Sequence, residues 1–517
     1  MPDTLTPRLL VFLVGLAQHV TSLNRLSIVG GLWEEKHAGV LGLLLLKNPQ
    51  LRSIEFTGSL HCKVLNEIVK YCKHLERLWK TDTEKRDLEP GETDRGQFPM
   101  DSSLLASILS GCPHLTELRI GGVRFTESQP PMGHELLPCP LTSSAIQVLH
   151  IENIGCNGGN GPGDSNANSS SRFGKCSFPK LRALCVSEQY ASLESGSCLP
   201  FSDILNIIDQ SHELERVEIS AQFAFTKADC QRIVRCIPKL QCLQLKPYTS
   251  SFVHHTEPRL TDAALDILLK GLSLESLSIE SIGWEEHWDS YSDLQEPFLL
   301  LQYPFPSLSV FTQNIDRFQY LQTCILFGEV TNLFVHSLLS TCKSLSRLEL
   351  YILGRKTAVD DTLFAPIPTT DPYTSLKTLH LHLWKVSSQS SSRSVLTAGC
   401  LKDLRYKFPS LEKLAVLGLK NTDSQVCQAI ATEATHVQHL VVGPLLNTTS
   451  ELLNIVGCLH TLQQLDLCWD GGSLPTGDEV FDSALGTKTL FTIIKRINPN
   501  VRVQDTTGHF YPLSALT

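Results

Sequence analysis

The feature that most constrains this chain is a short apolar pattern, L-x-x-L-x-(L, I or V), that recurs along almost its whole length. Clear copies read Leu23/Leu26/Ile28, Leu51/Ile54/Phe56, Leu115/Leu118/Ile120, Leu181/Leu184/Val186, Leu214/Val217/Ile219 and Leu240/Leu243/Leu245. The series continues as Leu274/Leu277/Ile279, Leu345/Leu348/Leu350, Leu376/Leu379/Leu381, Leu411/Leu414/Val416, Val437/Leu440/Val442 and Leu462/Leu465/Leu467. Leu75/Leu78 and Ile146/Leu149/Ile151 are weaker copies, and Leu308/Phe311 is read as a degraded one. Successive copies begin roughly 24 to 40 residues apart, a period that means a solenoid. One such unit cannot bury its own apolar face, so only a stack of neighbours makes a core.

The repeat beginning at Asp101, DSSLLASILSGCPHLTELRIGG, shows how one unit is built. Asp101, Ser102 or Ser103 is placed to cap a helix. Leu104, Leu105, Ile108 and Leu109 then form one apolar helical stripe. Gly111 is expected to end the helix with positive φ, and Pro113 blocks its continuation. Leu115, Leu118 and Ile120 follow, the last two on one face of a short strand with period two. The expected fold is α/β, an arc or horseshoe with parallel strands on the concave side and helices on the convex side. Its repeats run from about residue 9 to 503 and the whole chain 1–517 forms one solenoid. Right-handed crossovers join its strands.

Strand alternation also identifies the side chains that face out of the sheet. They include Glu55, Trp79, Arg119, His150, Glu218, Gln244, Ser278, Glu349, His380, His382, Lys413 and Asp466. Their mixed charge and type suits a protein–protein surface rather than a pocket for one small ligand. Trp79, Arg119, Glu218, Glu349, His380 and His382 are the candidate partner-binding residues.

A formal net charge of -9 and the lack of a long basic run argue against nucleic acid as a partner. The 17 cysteines are odd in number and scattered. Cys72, Cys112 and Cys342 each precede a repeat leucine by three residues, where a cysteine acts as a small buried hydrophobe. A reducing intracellular compartment follows, cytoplasmic or nuclear. Leu9 to Ala17 imitates the core of a signal peptide, but its leucines stand before the Leu23 strand as Leu104 to Leu109 stand before Leu115. It is read as the first helix of the solenoid. No run has the roughly 18 to 20 apolar residues of a membrane span. The sequons at Asn168 and Asn447 would matter only in a secreted chain.

Four segments interrupt the spacing. Residues 80–97 are highly charged without apolar period, and 155–174 are rich in Gly, Asn and Ser, a composition that cannot bury enough surface to order itself. The latter lacks the G-K-(S/T) ending of a phosphate loop. Residues 386–394 read as an outer loop. Residues 283–306 interleave Trp284, Trp288 and Tyr291 with acids; this is either an insertion packed on the solenoid edge or a docking patch for a basic partner.

No catalytic residues, cofactor site or metal site emerge. His380 and His382 share one strand face, but strand-neighbour positions offer only Glu349 and Ala415, so two exposed polar side chains are the favoured reading. His436 and His439 are read the same way. C-x-x-C, G-x-S-x-G, H-E-x-x-H and dinucleotide motifs are absent.

The stretches CPHLTELRI, FPKLRALCV, IPKLQCLQL, CKSLSRLEL and FPSLEKLAV resemble the leucine-rich repeats of F-box proteins and other ribonuclease-inhibitor-like chains. The resemblance implies a non-enzymatic scaffold whose concave face binds a partner protein. A second reading is the substrate-recognition subunit of a cullin ubiquitin ligase, holding a ubiquitination substrate. In such relatives an N-terminal module binds a Skp1-type adaptor. Here the first strand is already at Leu23, so that machinery requires an F-box supplied upstream. A third reading, a GTPase-activating leucine-rich-repeat protein, conflicts with the non-acidic ending DTTGHFYPLSALT.

Overall fold

Most of the described repeats turn on one backbone device. The residue three positions before the first repeat leucine closes a helix and then accepts from that leucine. Cys72 N–H donates to Ile68 O at 2.8 Å, and Leu75 N–H to Cys72 O at 3.2 Å. Cys342 repeats this with Leu338 and Leu345 at 2.8 and 3.2 Å, and Cys112 with Ile108 and Leu115 at 3.0 and 3.1 Å. All three cysteines are buried, as expected of small hydrophobes at this turn. Where Asn48 takes the position, its amide donates to Leu44 O and Val20 O while its Oδ1 accepts from Leu23 N–H. The helix-end carbonyls are thereby satisfied without solvent.

The computed structural model describes residues 14–16, 18–33, 35–81, 98–100, 102–125, 142–156, 176–187, 201–221, 225–247, 260–279, 298–302, 308–328, 330–353, 359–365, 367, 371–384, 397–417, 423–442, 449–469, 492 and 494–507. The chain separates into two compact units. One is Met1–Tyr248 with Gly271–Ser273; the other is Thr249–Lys270 with Leu274–Thr517.

In the first unit the strands are β1 (Arg25–Trp33), β2 (Ser53–Leu60), β3 (Arg77–Thr81), β4 (Phe98–Met100), β5 (Glu117–Phe125), β6 (Val148–Cys156), β7 (Ala183–Ser187), β8 (Arg216–Ala221) and β9 (Cys242–Pro247). The crossovers carry α1 (Ala38–Lys47), α2 (Cys62–Tyr71), α3 (Ser102–Gly111), α4 (Phe201–Asp209) and α5 (Lys227–Cys236). Sequential strands pair in parallel, β3 passing its register to β5 while the short β4 lies along the far end of β5. One core row runs Ile54, Leu78, Leu118, Leu149, Leu184, Val217, Leu243, and all seven are buried. The next row is Phe56, Lys80, Ile120, Ile151, Val186, Ile219, Leu245. Lys80, expected to open a charged insertion, lies within β3 in this row, buried, with its ammonium donating to Gly121 O.

One local expectation changes. Gly111 has no positive φ; Gly328 is the one described glycine that does. A Cβ on Gly111 would stand 2.3 Å from Val69 Cγ1, so the glycine lets α3 approach α2 closely. α5 shows a full capping box, in which Thr226 Oγ1 accepts from Asp229 N–H and Asp229 accepts from Thr226 N–H.

The second unit opens with α6 (Asp262–Gly271). It continues through β10 (Ser276–Ile279), β11 (Phe298–Gln302), β12 (Thr323–Gly328), β13 (Arg347–Leu353), β14 (Thr378–Trp384), β15 (Lys413–Leu417), β16 (His439–Val442), β17 (Gln464–Trp469) and β18 (Arg502–Thr507). Its other helices are α7 (Leu308–Gln313), α8 (Asn332–Thr341), α9 (Leu404–Lys407), α10 (Asp423–Glu433) and α11 (Thr449–Cys458). Every strand pairs in parallel with the next. The row Leu277, Leu299, Cys324, Leu348, Leu379, Leu414, Leu440, Leu465 is buried throughout.

Here the motif reading needs correction. Leu308/Phe311 is not a strand but part of α7, its two apolar residues lying on one buried helical stripe. The strands on either side are β11, inside the expected 283–306 insertion, and β12. β12 has Cys324 in the leucine position, and every residue of Thr323–Gly328 is buried, which removes the alternation that marks a half-exposed strand. The 82–97, 157–174 and 386–394 stretches, and Trp284, Trp288 and Tyr291, lie outside the described residues.

Candidate functional site: the sheet face opposite the core rows

Between the core rows, each strand offers side chains to the other face of the sheet, and parallel pairing aligns them. In the first unit this row reads Ser27, Glu55, Trp79, Arg119, His150, Cys185, Glu218, Gln244. The sequence reading placed all of these except Ser27 and Cys185. Trp79, Arg119 and Glu218 are each partly exposed. Trp79 therefore stands between a carboxylate and a guanidinium. Arg119 forms an ion pair with Glu152 of β6, and Arg25 with Glu55 at 3.1 Å.

His150, Cys185 and Glu218 occupy adjacent strands, an order that invites comparison with a cysteine–histidine–acid centre. The electrostatics oppose it. Burial, then Glu218 and Glu152, push the Cys185 thiol well above its ordinary range. Burial, then Arg119, push the His150 imidazole down to about 4. An activated pair needs the reverse, a stabilised thiolate beside a protonated imidazole.

In the second unit the corresponding row is Ser278, Leu300, Ile325, Glu349, His380, Ala415, Val441, Asp466. Glu349 and His380 were expected to face solvent; both are buried, as are Ser278, Ile325, Ala415 and Val441. Position in a strand sets which face a side chain takes, but not what covers that face. His382 is half-buried.

Glu349, His380 and His382 do come together, around Tyr351. The Tyr351 hydroxyl donates to Glu349 Oε2 at 3.1 Å and lies 3.3 Å from His380 Nδ1. Its ring centroid is 4.7 Å from that of His380 and 5.9 Å from that of His382. Arg347 closes on Glu349 Oε1 through Nη2 at 2.7 Å and Nε at 2.8 Å. Burial pushes His380 down to about 4, with Lys413 and Arg347 acting in the same sense and Glu349 opposing them. Burial and then His380 push His382 down to about 3. Both imidazoles are neutral at pH 7. Between β16 and β17, His439 Nε2 meets Asp466 Oδ2 at 2.6 Å and Gln464 donates to Asp466 Oδ1 at 3.0 Å. Burial raises Asp466, but the hydrogen bonds from His439 and Gln464 prevail and its carboxyl is held below the ordinary range.

Tyr351 is the member that sequence reasoning missed, although it stands in register with His382, at the same position of its repeat. Among the described residues no group of three His, Cys, Asp or Glu side chains is placed to hold a metal ion. Nor is any described helix long and apolar enough to cross a membrane.

No family model matches the chain, and no curated protein does. Solved structures do. The leucine-rich-repeat-containing protein LegL7 from Legionella pneumophila aligns at 13% identity and TM-score 0.32, covering 64% of this chain and 95% of that one. A structure of the yeast Rad7 and Elc1 complex aligns at 11% identity and TM-score 0.35, covering 79% and 84%. The leucine-rich repeat domain of APL1B aligns at 10% identity and TM-score 0.22, covering 98% and 95%. The fold assignment rests on the parallel register, the helical crossovers and the leucine rows of this chain itself: it is an α/β leucine-rich-repeat fold.

Proposed function

We propose that this chain is a non-enzymatic scaffold that binds another protein through the sheet face opposite its core rows. The observation that carries the reading is the aligned row Glu55, Trp79, Arg119, His150 and Glu218. Successive rigid strands present unlike, partly exposed side chains in fixed register, which is what recognition of an extended protein surface uses. The inverted His150 and Cys185 electrostatics support a binding role over a catalytic one. Helical crossovers such as α5 between β8 and β9 support the ribonuclease-inhibitor-like type of repeat.

Of the candidate contact residues, Trp79, Arg119, Glu218 and His382 are accessible enough to touch a partner directly. Glu349 and His380 would act by shaping the surface from below. Trp and Arg are the side chains whose truncation most often costs 2 kcal/mol or more at an interface, an order-of-magnitude expectation of about that size.

The test is capture of partners by proximity labelling, followed by affinity measurement against Trp79→Ala, Arg119→Glu and Glu218→Arg proteins of unchanged circular dichroism. Loss of a recovered partner in these variants supports the proposal. Unchanged affinity for all three moves the binding site elsewhere. A recovered ubiquitin-ligase adaptor or substrate would specify the scaffold as a substrate receptor.

A further inference from the structure

The two units differ in what this sheet face offers. In the second, Ile325, Phe327, Tyr351, Ala415 and Val441 of this face are buried, and Arg347, 32% exposed, pairs with a Glu349 that is itself buried. In the first, the face carries a series of Arg–Glu pairs, and in each the guanidinium is the more accessible partner. Arg25 is 60% exposed against 23% for Glu55, and Arg77 45% against 26% for Glu117. Arg119 is 35% exposed against 17% for Glu152, and Arg216 44% against 18% for Glu218. Long arginine side chains generally reach further into solvent than glutamates. What is particular here is their placement. Arg25, Arg77 and Arg216 share one register row across β1, β3 and β8, and Arg119 stands beside Trp79 one pleat away.

From this we infer that the first unit's sheet face takes an extended acidic segment of a partner protein, lying across the strands with its carboxylates on the arginines and an apolar side chain against Trp79. The inference rests on the scaffold reading above and names the chemistry of the partner.

The dimensions fit. Neighbouring strands are about 4.8 Å apart, so β1 to β3 is roughly 10 Å, close to three residues of extended peptide at about 3.3 Å each. The span from β1 to β8 crosses six strand gaps, roughly 29 Å, or about nine residues of ligand. A guanidinium already held by one glutamate keeps free N–H groups, since it has five donors in a planar fork suited to carboxylates. The glutamates balance the charge of the arginines, in close contact for Arg25 and Arg119 and loosely, at 4.0 and 3.9 Å, for Arg77 and Arg216. A nucleic acid, with a phosphate charge every few ångströms and no neutral gaps, would meet those glutamates as well as the arginines.

The probe is a fluorescent decapeptide with glutamate at positions 1, 4 and 10 and leucine and glycine between, titrated against the full chain. A lysine-for-glutamate peptide and a single-stranded RNA nonamer are run beside it. The expected result is saturable binding of the glutamate peptide, weakened at least tenfold by Arg25→Glu with Arg77→Glu and by raising salt from 50 to 500 mM. Lys377→Glu in the second unit should leave it unchanged. Thermal melting confirms that the charge-reversed proteins are folded. Absence of saturable binding, equal or tighter binding of the lysine peptide or the RNA, or an affinity indifferent to Arg25 and Arg77 but sensitive to Lys377 would each overturn the inference. If a captured partner instead loses affinity on Trp79→Ala but not on arginine reversal, the scaffold reading stands and the acidic-ligand inference falls.

Discussion

Replacing His380 by Gln should remove about one proton from the acid sensitivity of this fold. His380 is 6% exposed, and burial holds its imidazole down to about 4, against an ordinary 6.5. The groups around it are Arg347, Glu349, Tyr351, His382 and Lys413. The cations push in the same direction as burial, and the Glu349 carboxylate opposes without prevailing. The unfolded chain therefore takes the proton first, near 6.5, while the folded chain resists until about 4. Stability from the neutral imidazole is fully present above that upper value and declines as pH falls through the window. Below the lower value both states are protonated and the loss stops. The slope is about 1.4 kcal/mol per pH unit for one proton, so the total is about 3 kcal/mol. Urea unfolding of the wild-type and His380→Gln proteins at pH 7, 6, 5 and 4.5 measures the difference in slope, and the imidazole C2–H resonance reports the titration directly. The reasoning is refuted if the two proteins lose stability in parallel, or if His380 titrates near its ordinary value.

Three further outcomes follow from the packing. Leu348→Ala, in a fully buried core row of β13, should cost about 2 to 5 kcal/mol in chemical denaturation, and a loss below about 0.5 kcal/mol would contradict its place in the core. Gly111→Ala should lower the melting temperature even though alanine favours helix by about 1 kcal/mol, because its Cβ would stand 2.3 Å from Val69 Cγ1. Adding Val69→Ala should restore it, and a single variant that melts higher would rule out the close approach. Iodoacetamide at pH 8 should label exposed Cys458 well before Cys185, whose thiol burial pushes well above its ordinary range, and peptide mass spectrometry showing the reverse order would contradict the protonated-thiol assignment.

Much of the architecture was legible in the chain because its signals are local. Alternation puts Leu348 and Leu350 on one face whatever surrounds them, and the cysteine three residues before Leu75, Leu115 and Leu345 is buried at each turn. The pairing of Glu349 with His380 and of His380 with Ala415 followed from counting along successive strands. β12 escaped because Ile325 and Phe327 are apolar on the face where alternation calls for polar residues. β11 escaped because it stands inside a stretch whose aromatic and acidic composition reads as an insertion.

What sequence alone determined is therefore the repeat, the strand face each residue takes and the partners it meets across the sheet. Those depend on dihedral preference and on a period of two within a few residues. Whether a face is open was decided only by tertiary structure. Glu349 and Trp79 occupy the same position in their repeats, yet the first is buried and the second partly exposed. Gly111 reads as a flexible stop and is in fact a gap for Val69, while Lys80 reads as the start of a charged loop and is buried in an otherwise apolar row. Burial is a property of everything that packs around a residue, including chain distant in sequence, and a periodicity of a few residues carries no record of it.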